Sequence, residues 1–233
     1  MKKRILNSKA VSEILGFILI FSMIMMAVSL IYVQVYPEIN KQQEYATLNS
    51  MENSFIIMQN IEYPVAYNIL PTKTVNLRVE KGVIYAIPNF GNMSIIINGK
   101  NIRYSYGVLV YEVGNSKILL ENGAVIECFG DEGCICLSNP KIFRVSDEVF
   151  ISLVNINGSM GLAGLGQITF KNDGSRLLFT NTKVYNISIT FNTPTYKWWV
   201  NYFRSMGFHV INNTTVSANN INVTIVIHNI SVS

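Results

Sequence analysis

Between Ile14 and Pro37 the chain carries no charged residue: ILGFILIFSMIMMAVSLIYVQVYP. As a helix this run rises about 36 Å, enough to cross a hydrocarbon core of about 30 Å. Tyr32 and Tyr36 stand near its far end, where amphipathic rings favour the membrane interface. Lys2, Lys3, Arg4 and Lys9 all precede the run, and Glu38 follows it. The positive-inside rule then keeps the N-terminus in the cytoplasm and sends the C-terminal mass outside, as in a single-pass protein of the cell membrane.

Those four cations also explain the net charge. The chain has 18 basic and 14 acidic residues, net +4, and the whole excess lies before Val11. A nucleic-acid footprint needs a basic face on the folded part; none is present, and no nucleic-acid partner is expected. With 49% hydrophobic and 14% charged residues the chain is too apolar for disorder. Its 233 residues suit one long helix and one domain of ordinary size.

Three readings fit the apolar segment. A cleaved secretory signal would use Ala27-Val28-Ser29, but such apolar regions usually run about 7–15 residues and this one continues past that point. An uncleaved signal anchor is the second. In the third, a prepilin-type leader, the cut falls before the helix and the helix is kept. Lys9-Ala10-Val11-Ser12-Glu13 carries that reading: a short basic segment ends in a charged and a small residue, and the run VSEILGFILIF follows at once.

This stretch resembles the N-terminus of archaeal type IV pilin-like proteins. The resemblance implies a prepilin peptidase cutting after Ala10, with Lys9, Ala10 and Val11 as the cleavage residues. Many such pilins carry Pro where this chain has Glu13, and the likeness is confined to the leader and the start of the helix. An ionised carboxylate inside a bilayer costs about 2.5–3.5 kcal/mol. The amine freed at Val11, or that of a neighbouring subunit, would neutralise Glu13 at the helix N-terminus; the alternative is that Glu13 reaches to the cytoplasmic headgroups.

Four segments follow: a cytoplasmic leader over 1–10, a transmembrane helix over 11–36, an amphipathic extension over 37–63 and an extracytoplasmic β domain over 64–233. Tyr45, Leu48, Met51, Phe55 and Met58 recur at spacings of three and four, one apolar helical face. Pro37 fits a bend or the start of a second helical segment.

Beyond Pro64, segments such as Thr74–Val79, Val83–Ile87 and Val149–Val154 are short, β-branched and bounded by turn residues. Asn98-Gly99 and Asn122-Gly123 predict hairpins, because a type I′ turn needs two positive φ angles; Asp173-Gly174 is a weaker third signal. GSMGLAGLGQ reads as a flexible loop or a small-residue packing contact, since no Lys or helix follows it as a P-loop requires. After Pro194, TYKWWVNYFRSMG predicts a helix with Trp198, Tyr202 and Met206 on one face and Gly207 as its stop. That helix is either a buried aromatic plug or an exposed aromatic binding surface. The fold class is α+β: a long N-terminal transmembrane and amphipathic helix, then a mostly antiparallel β domain, sandwich or curled sheet, with one short helix in the C-terminal region.

Cys128, Cys134 and Cys136 cluster in ECFGDEGCICLSNP. Outside the cell a disulfide is permitted, with Cys128 pairing Cys134 or Cys136; unpaired thiols are the alternative. A metal site wants a fourth ligand, and His209 and His228 lie far along the chain, so no metal is expected. Asp131 and Glu132 are too few for a calcium site. With two histidines no triad spacing stands out; no catalytic residue, cofactor or small-molecule substrate is identified, and an enzyme is not expected.

Asn-x-Ser/Thr sites fall at Asn92, Asn157, Asn186, Asn212, Asn213, Asn222 and Asn229. They crowd towards the C-terminus, which suits a face that points away from the cell and carries N-glycans. The resemblance implies the remaining partners: the peptidase, an assembly platform with its ATPase, and sibling pilin-like subunits in a surface filament. A tethered adhesin or ligand-binding module that never polymerises is the alternative.

Overall fold

The computed structural model describes residues 8–130 and 133–233. Most of the leader, and Asp131 and Glu132, lie outside the described residues. Helix α1 runs unbroken over Ser8–Ala66, 59 residues. Pro37 neither ends nor restarts it, although a proline inside a helix removes one N–H and crowds the carbonyl four residues back. The chain divides into two units, the first ending at Ala46 and the second Thr47–Ser233.

In the second unit, Leu48, Met51, Phe55 and Met58 are buried together with Val65 and Ala66. Tyr45 continues their spacing but is 66% exposed. It belongs to the first unit, and burial of this face begins only at Thr47. The helix also outlasts the expected boundary at residue 63. Its last carbonyls are satisfied by the turn that follows, where Tyr67 N donates to Tyr63 O at 2.9 Å and Ile69 N to Pro64 O at 2.9 Å. Asn68 supplies the left-handed residue, φ 57°.

The remaining chain forms one sheet of ten strands: β1 (Thr72–Ile97), β2 (Lys100–Val113), β3 (Ser116–Glu121), β4 (Ala124–Phe129), β5 (Gly133–Ser138), β6 (Ile142–Val145), β7 (Glu148–Asn157), β8 (Gly161–Asn192), β9 (His209–Asn212) and β10 (Thr215–Val232). Helix α2 (Tyr196–Ser205) interrupts it. The order is β5-β4-β3-β2-β1-β8-β10-β7-β6, with β9 beside β10. Only β1 with β8 and β10 with β7 pair parallel; the other pairings are antiparallel. The sheet curls until β7 meets β2, where Gly107 N donates to Asn155 Oδ1 at 2.9 Å. A Cβ on Gly107 would sit 2.2 Å from the Ile156 carbonyl oxygen, so only glycine permits this approach.

Both strong hairpin signals form turns, Asn98-Gly99 at φ 46° and 84° and Asn122-Gly123 at φ 49° and 74°. Asp173-Gly174 does not turn. It lies inside β8, where Gly174 N donates to Asn172 Oδ1 at 2.7 Å and the strand keeps its pairing with β10. A side chain taking an amide out of the ladder makes a bulge, not a reversal. Of GSMGLAGLGQ only residues 158–160 lie between strands, and from Gly161 the segment opens β8 and pairs with β1; the packing-contact alternative fits Gly158, where a Cβ would meet the Val232 carbonyl oxygen at 2.3 Å. In α2 the buried face is Trp199, Val200 and Phe203, with Trp198, Tyr202 and Met206 packed at its rim. The plug reading holds, with the face turned by one residue.

Among the described residues three core clusters lie in the second unit: one joins α1 to β1–β4, β7, β8 and β10, a second joins α2 to other faces of the curled sheet, and a small third holds Val108, Val110 and Leu119 of β2 and β3. Phe55→Ala is expected to lower the unfolding free energy by about 3–5 kcal/mol through the cavity it leaves. Ile57→Ala, at a 53% exposed position of the same helix, is expected to change it by about 0.5 kcal/mol or less. Denaturant unfolding of the full chain in detergent measures both, and equal effects would contradict the seated face.

Candidate functional site

The first unit presents an apolar surface. Large side chains from Ile14 to Ile39 are all about half exposed or more, and this is the one helix among the described residues long and apolar enough to cross a membrane. Its serines keep their polarity inside the helix: Ser22 Oγ donates to Ile18 O and Ser29 Oγ to Met25 O, each at 2.7 Å. In lipid that matters, because no water is there to take those hydroxyls. Phe17 stacks on Phe21, and Tyr32 on Tyr36 with centroids 5.1 Å apart. Glu13 is exposed on the first turns that follow Lys9, Ala10 and Val11.

The second half of α1 sits on the sheet through polar contacts placed on its apolar face. Gln59 Nε2 donates to Gly123 O at 2.7 Å and Asn139 O at 3.0 Å, and its Oε1 accepts from Ser138 Oγ at 2.6 Å. Tyr63 Oη donates to Gly123 O at 2.6 Å. The Asn122-Gly123 turn is thus covered by the helix, and Asn122 and Gly123 are buried where hairpin turns are ordinarily wet. At the helix end, Asn172 Nδ2 donates to Val65 O at 2.6 Å and Ser175 Oγ to Ala66 O at 3.1 Å. These caps come from β8, more than a hundred residues along the chain.

Glu62 lies on the same face, one turn beyond Met58, and is 0% exposed. Neither carboxyl oxygen has a hydrogen-bond partner among the described residues, nor has Asn122 Nδ2. Burial pushes its pKa up to about 8, so it is seated as a neutral acid at pH 7. Glu127 on β4 is also buried; burial first, then the charge of Glu52, pushes it up to about 7.

Glu121 is the opposite case. It is equally buried, yet it accepts from Tyr106 Oη at 2.7 Å, Thr193 Oγ1 at 3.1 Å and Trp199 Nε1 at 3.0 Å on one oxygen, and from Thr195 Oγ1 at 2.6 Å on the other. Burial raises its pKa and these four donors oppose the rise. The carboxyl ties β3 to β2 and to the start of α2. Sequence reading passed over Glu62 and Glu121, although both fall in phase with apolar neighbours, Glu62 with Phe55 and Met58 and Glu121 with Leu119.

The histidines do not form a catalytic pair. His228 is buried against the Tyr67 ring, and its Nδ1 lies 2.7 Å from Ser175 Oγ. Ser175 Oγ also donates to Ala66 O at 3.1 Å, and no carboxylate orients the imidazole from its other side, since Nε2 has no hydrogen-bond partner among the described residues. Burial lowers the pKa of His228. His209 lies in an open groove beside α2 that no carboxylate lines. Among the described residues no group of three or more potential ligands comes together for a metal.

Of the two pairings left open, Cys128 bonds Cys134, its cross-strand neighbour in β4 and β5, and Cys136 is free. Asn92, Asn157, Asn186, Asn212 and Asn213 are exposed. Asn222 and Asn229 are half-buried on β10, and Asn229 Oδ1 accepts from Asn155 Nδ2 at 3.1 Å.

A family model, described as a family of unknown function (DUF7289), matches residues 9–233. The chain belongs to this family. In this DUF7289 member the match takes in α1 from Lys9 together with the whole β domain. An uncharacterised protein of Archaeoglobus fulgidus is 32% identical over 77 residues, which cover 33% of this chain and 25% of that protein. The chain thus spans about a quarter of the length of the relative it matches. No solved structure gives a significant match.

The buried acids set a pH dependence. Glu62 keeps its proton to about pH 8 when folded but has an ordinary value of 4.5 when exposed. Between those values the folded state binds more protons, so stability is fullest below 4.5 and is lost as pH rises to about 8. Glu127 contributes with the same sign up to about 7. Denaturant midpoints of the full chain should fall between pH 5 and pH 8.5 by an amount worth a few kcal/mol, and Glu62→Gln should remove most of the slope. A midpoint that does not move with pH would contradict the neutral seat of Glu62.

Proposed function

We propose that the chain is a type IV pilin-like subunit, inserted in the membrane by its apolar helix and able to enter or associate with a surface filament. One observation carries this reading: α1 is a single helix whose first half exposes an uncharged apolar surface and whose second half is built into a β domain. Such an element serves two solvents in turn. In the membrane, lipid covers Ile14–Tyr36; in a filament, the same segments of neighbouring copies replace lipid. Lipid tails are as apolar as those side chains, so the exchange is driven by packing, and Gly16, Ala27 and the two self-bonded serines leave the helix surface low enough for close approach.

The leader supplies the processing step. A prepilin peptidase hydrolyses the Ala10–Val11 bond, which removes Lys2, Lys3, Arg4 and Lys9 and leaves an amine two residues from Glu13. That amine, or a neighbour's, neutralises Glu13 at the start of the retained helix. An assembly platform with its ATPase and sibling subunits are the further partners of this reading. The Cys128–Cys134 bridge and the exposed sequons suit a domain outside the cell. A second reading, a tethered surface module that binds ligand and never polymerises, draws its support from the open groove beside α2.

Mass spectrometry of the membrane-extracted protein separates the routes. The mature N-terminus is expected at Val11, and at Met1 in cells lacking the peptidase or in chains carrying Lys9→Asp or Ala10→Leu. An intact Met1 in normal cells would overturn the pilin reading. A Val11 start with no filament-associated material would leave processing in place and favour the tethered module.

A further inference from the structure

Beside α2 the surface opens into a groove of about 610 Å³. Lys197, Asn201 and Arg204 lie four and three residues apart, one ridge of α2, and form its first wall. His209 and Asn213 face it from β9 and the turn that follows. The floor is apolar, with Val200 and Phe208 buried and Tyr196 half-buried. No acidic residue is among the lining residues, and Lys197 and Arg204 form no ion pair among the described residues.

We propose that this groove binds an acidic saccharide, with Lys197 and Arg204 on the carboxylate groups of the sugar and Asn201 and Asn213 on its hydroxyls. Each part answers to one feature of that ligand. Unpaired cations on a ridge want an anion, and the guanidinium of Arg204 matches a carboxylate in two parallel hydrogen bonds. A carboxamide offers donor and acceptor together, which suits vicinal hydroxyls that are both. The floor of Val200, Phe208 and Tyr196 takes the C–H face of a sugar ring.

The ridge is also held still. Trp199 and Thr195 are fixed on Glu121, and Arg144 Nη1 donates to Met206 O and Gly207 O, each at 3.3 Å, beyond the far end of α2. The helix backbone then has little left to order on binding, and the side chains of Lys197 and Arg204 carry the ordering that remains. The proposal holds whether or not the chain polymerises, because neither the leader nor the apolar half of α1 takes part.

The full chain, produced without glycosylation so that Asn213 stays bare, is titrated in detergent with trigalacturonic acid. Its methyl ester, inorganic phosphate and a hexaglutamate peptide are the comparison probes. Binding of trigalacturonic acid is expected, weakened at least tenfold in the methyl ester and at least tenfold by Arg204→Ala or Lys197→Gln. The ester comparison uses the unaltered protein and stands even if a variant fails to fold; near-ultraviolet circular dichroism checks the variants. No binding of trigalacturonic acid, equal binding of the ester, or equally tight binding of phosphate or the peptide would overturn the proposal.

Discussion

Phe55 and Met58 sit in the sheet's core while Gln59 and Tyr63, a turn further on, hold the carbonyl of Gly123. This joint between helix and hairpin is the contact that the rest of the second unit is arranged around. It buries the Asn122-Gly123 turn, it places Glu62 where no donor reaches it, and it brings the helix end to Asn172 and Ser175 for capping. A hydrophobic seat alone would tolerate a slide by one helical turn, which keeps the same face down. The amide of Gln59, which meets Gly123, Ser138 and Asn139 together, does not. Directional bonds fix the register that apolar burial leaves loose.

Two buried carboxyls show how differently one residue type is accommodated. Glu121 keeps an environment of four donors and binds three elements to each other. Glu62 has none and is tolerated by holding its proton. The first is a polar network fully paired, the second an isolated acid whose neutral form is the cheaper one to bury.

Much of the architecture was legible in residue order. The uncharged run, the apolar spacing from Leu48 to Met58, the two Asn-Gly turns and α2 all stand where local chemistry put them. The misreadings share one physical cause. Tyr45 obeys the helical period, but period says nothing about where a covering sheet begins. Asp173-Gly174 looks like a reversal and GSMGLAGLGQ like a flexible loop in isolation, yet β8 is kept extended by ladders to β1 and β10 that are remote in sequence. Glu62 and Glu121 carry a local mark in their phase with apolar neighbours, but what each meets is set by remote segments: Glu121 by Tyr106, Thr193, Thr195 and Trp199, Glu62 by strands that bring it no donor.

The place of β10 in the sheet carries a consequence for how the domain is born. Its residues are the last of the ten strands to be synthesised, yet they lie between β8 and β7 and join the two sides of the curl. Until they arrive, β8 lacks one neighbour and β6–β7 have no backbone ladder to the rest of the sheet. The domain therefore cannot close as a unit until β10 has been made, and its earlier strands wait until then with open edges, the condition in which strands mispair.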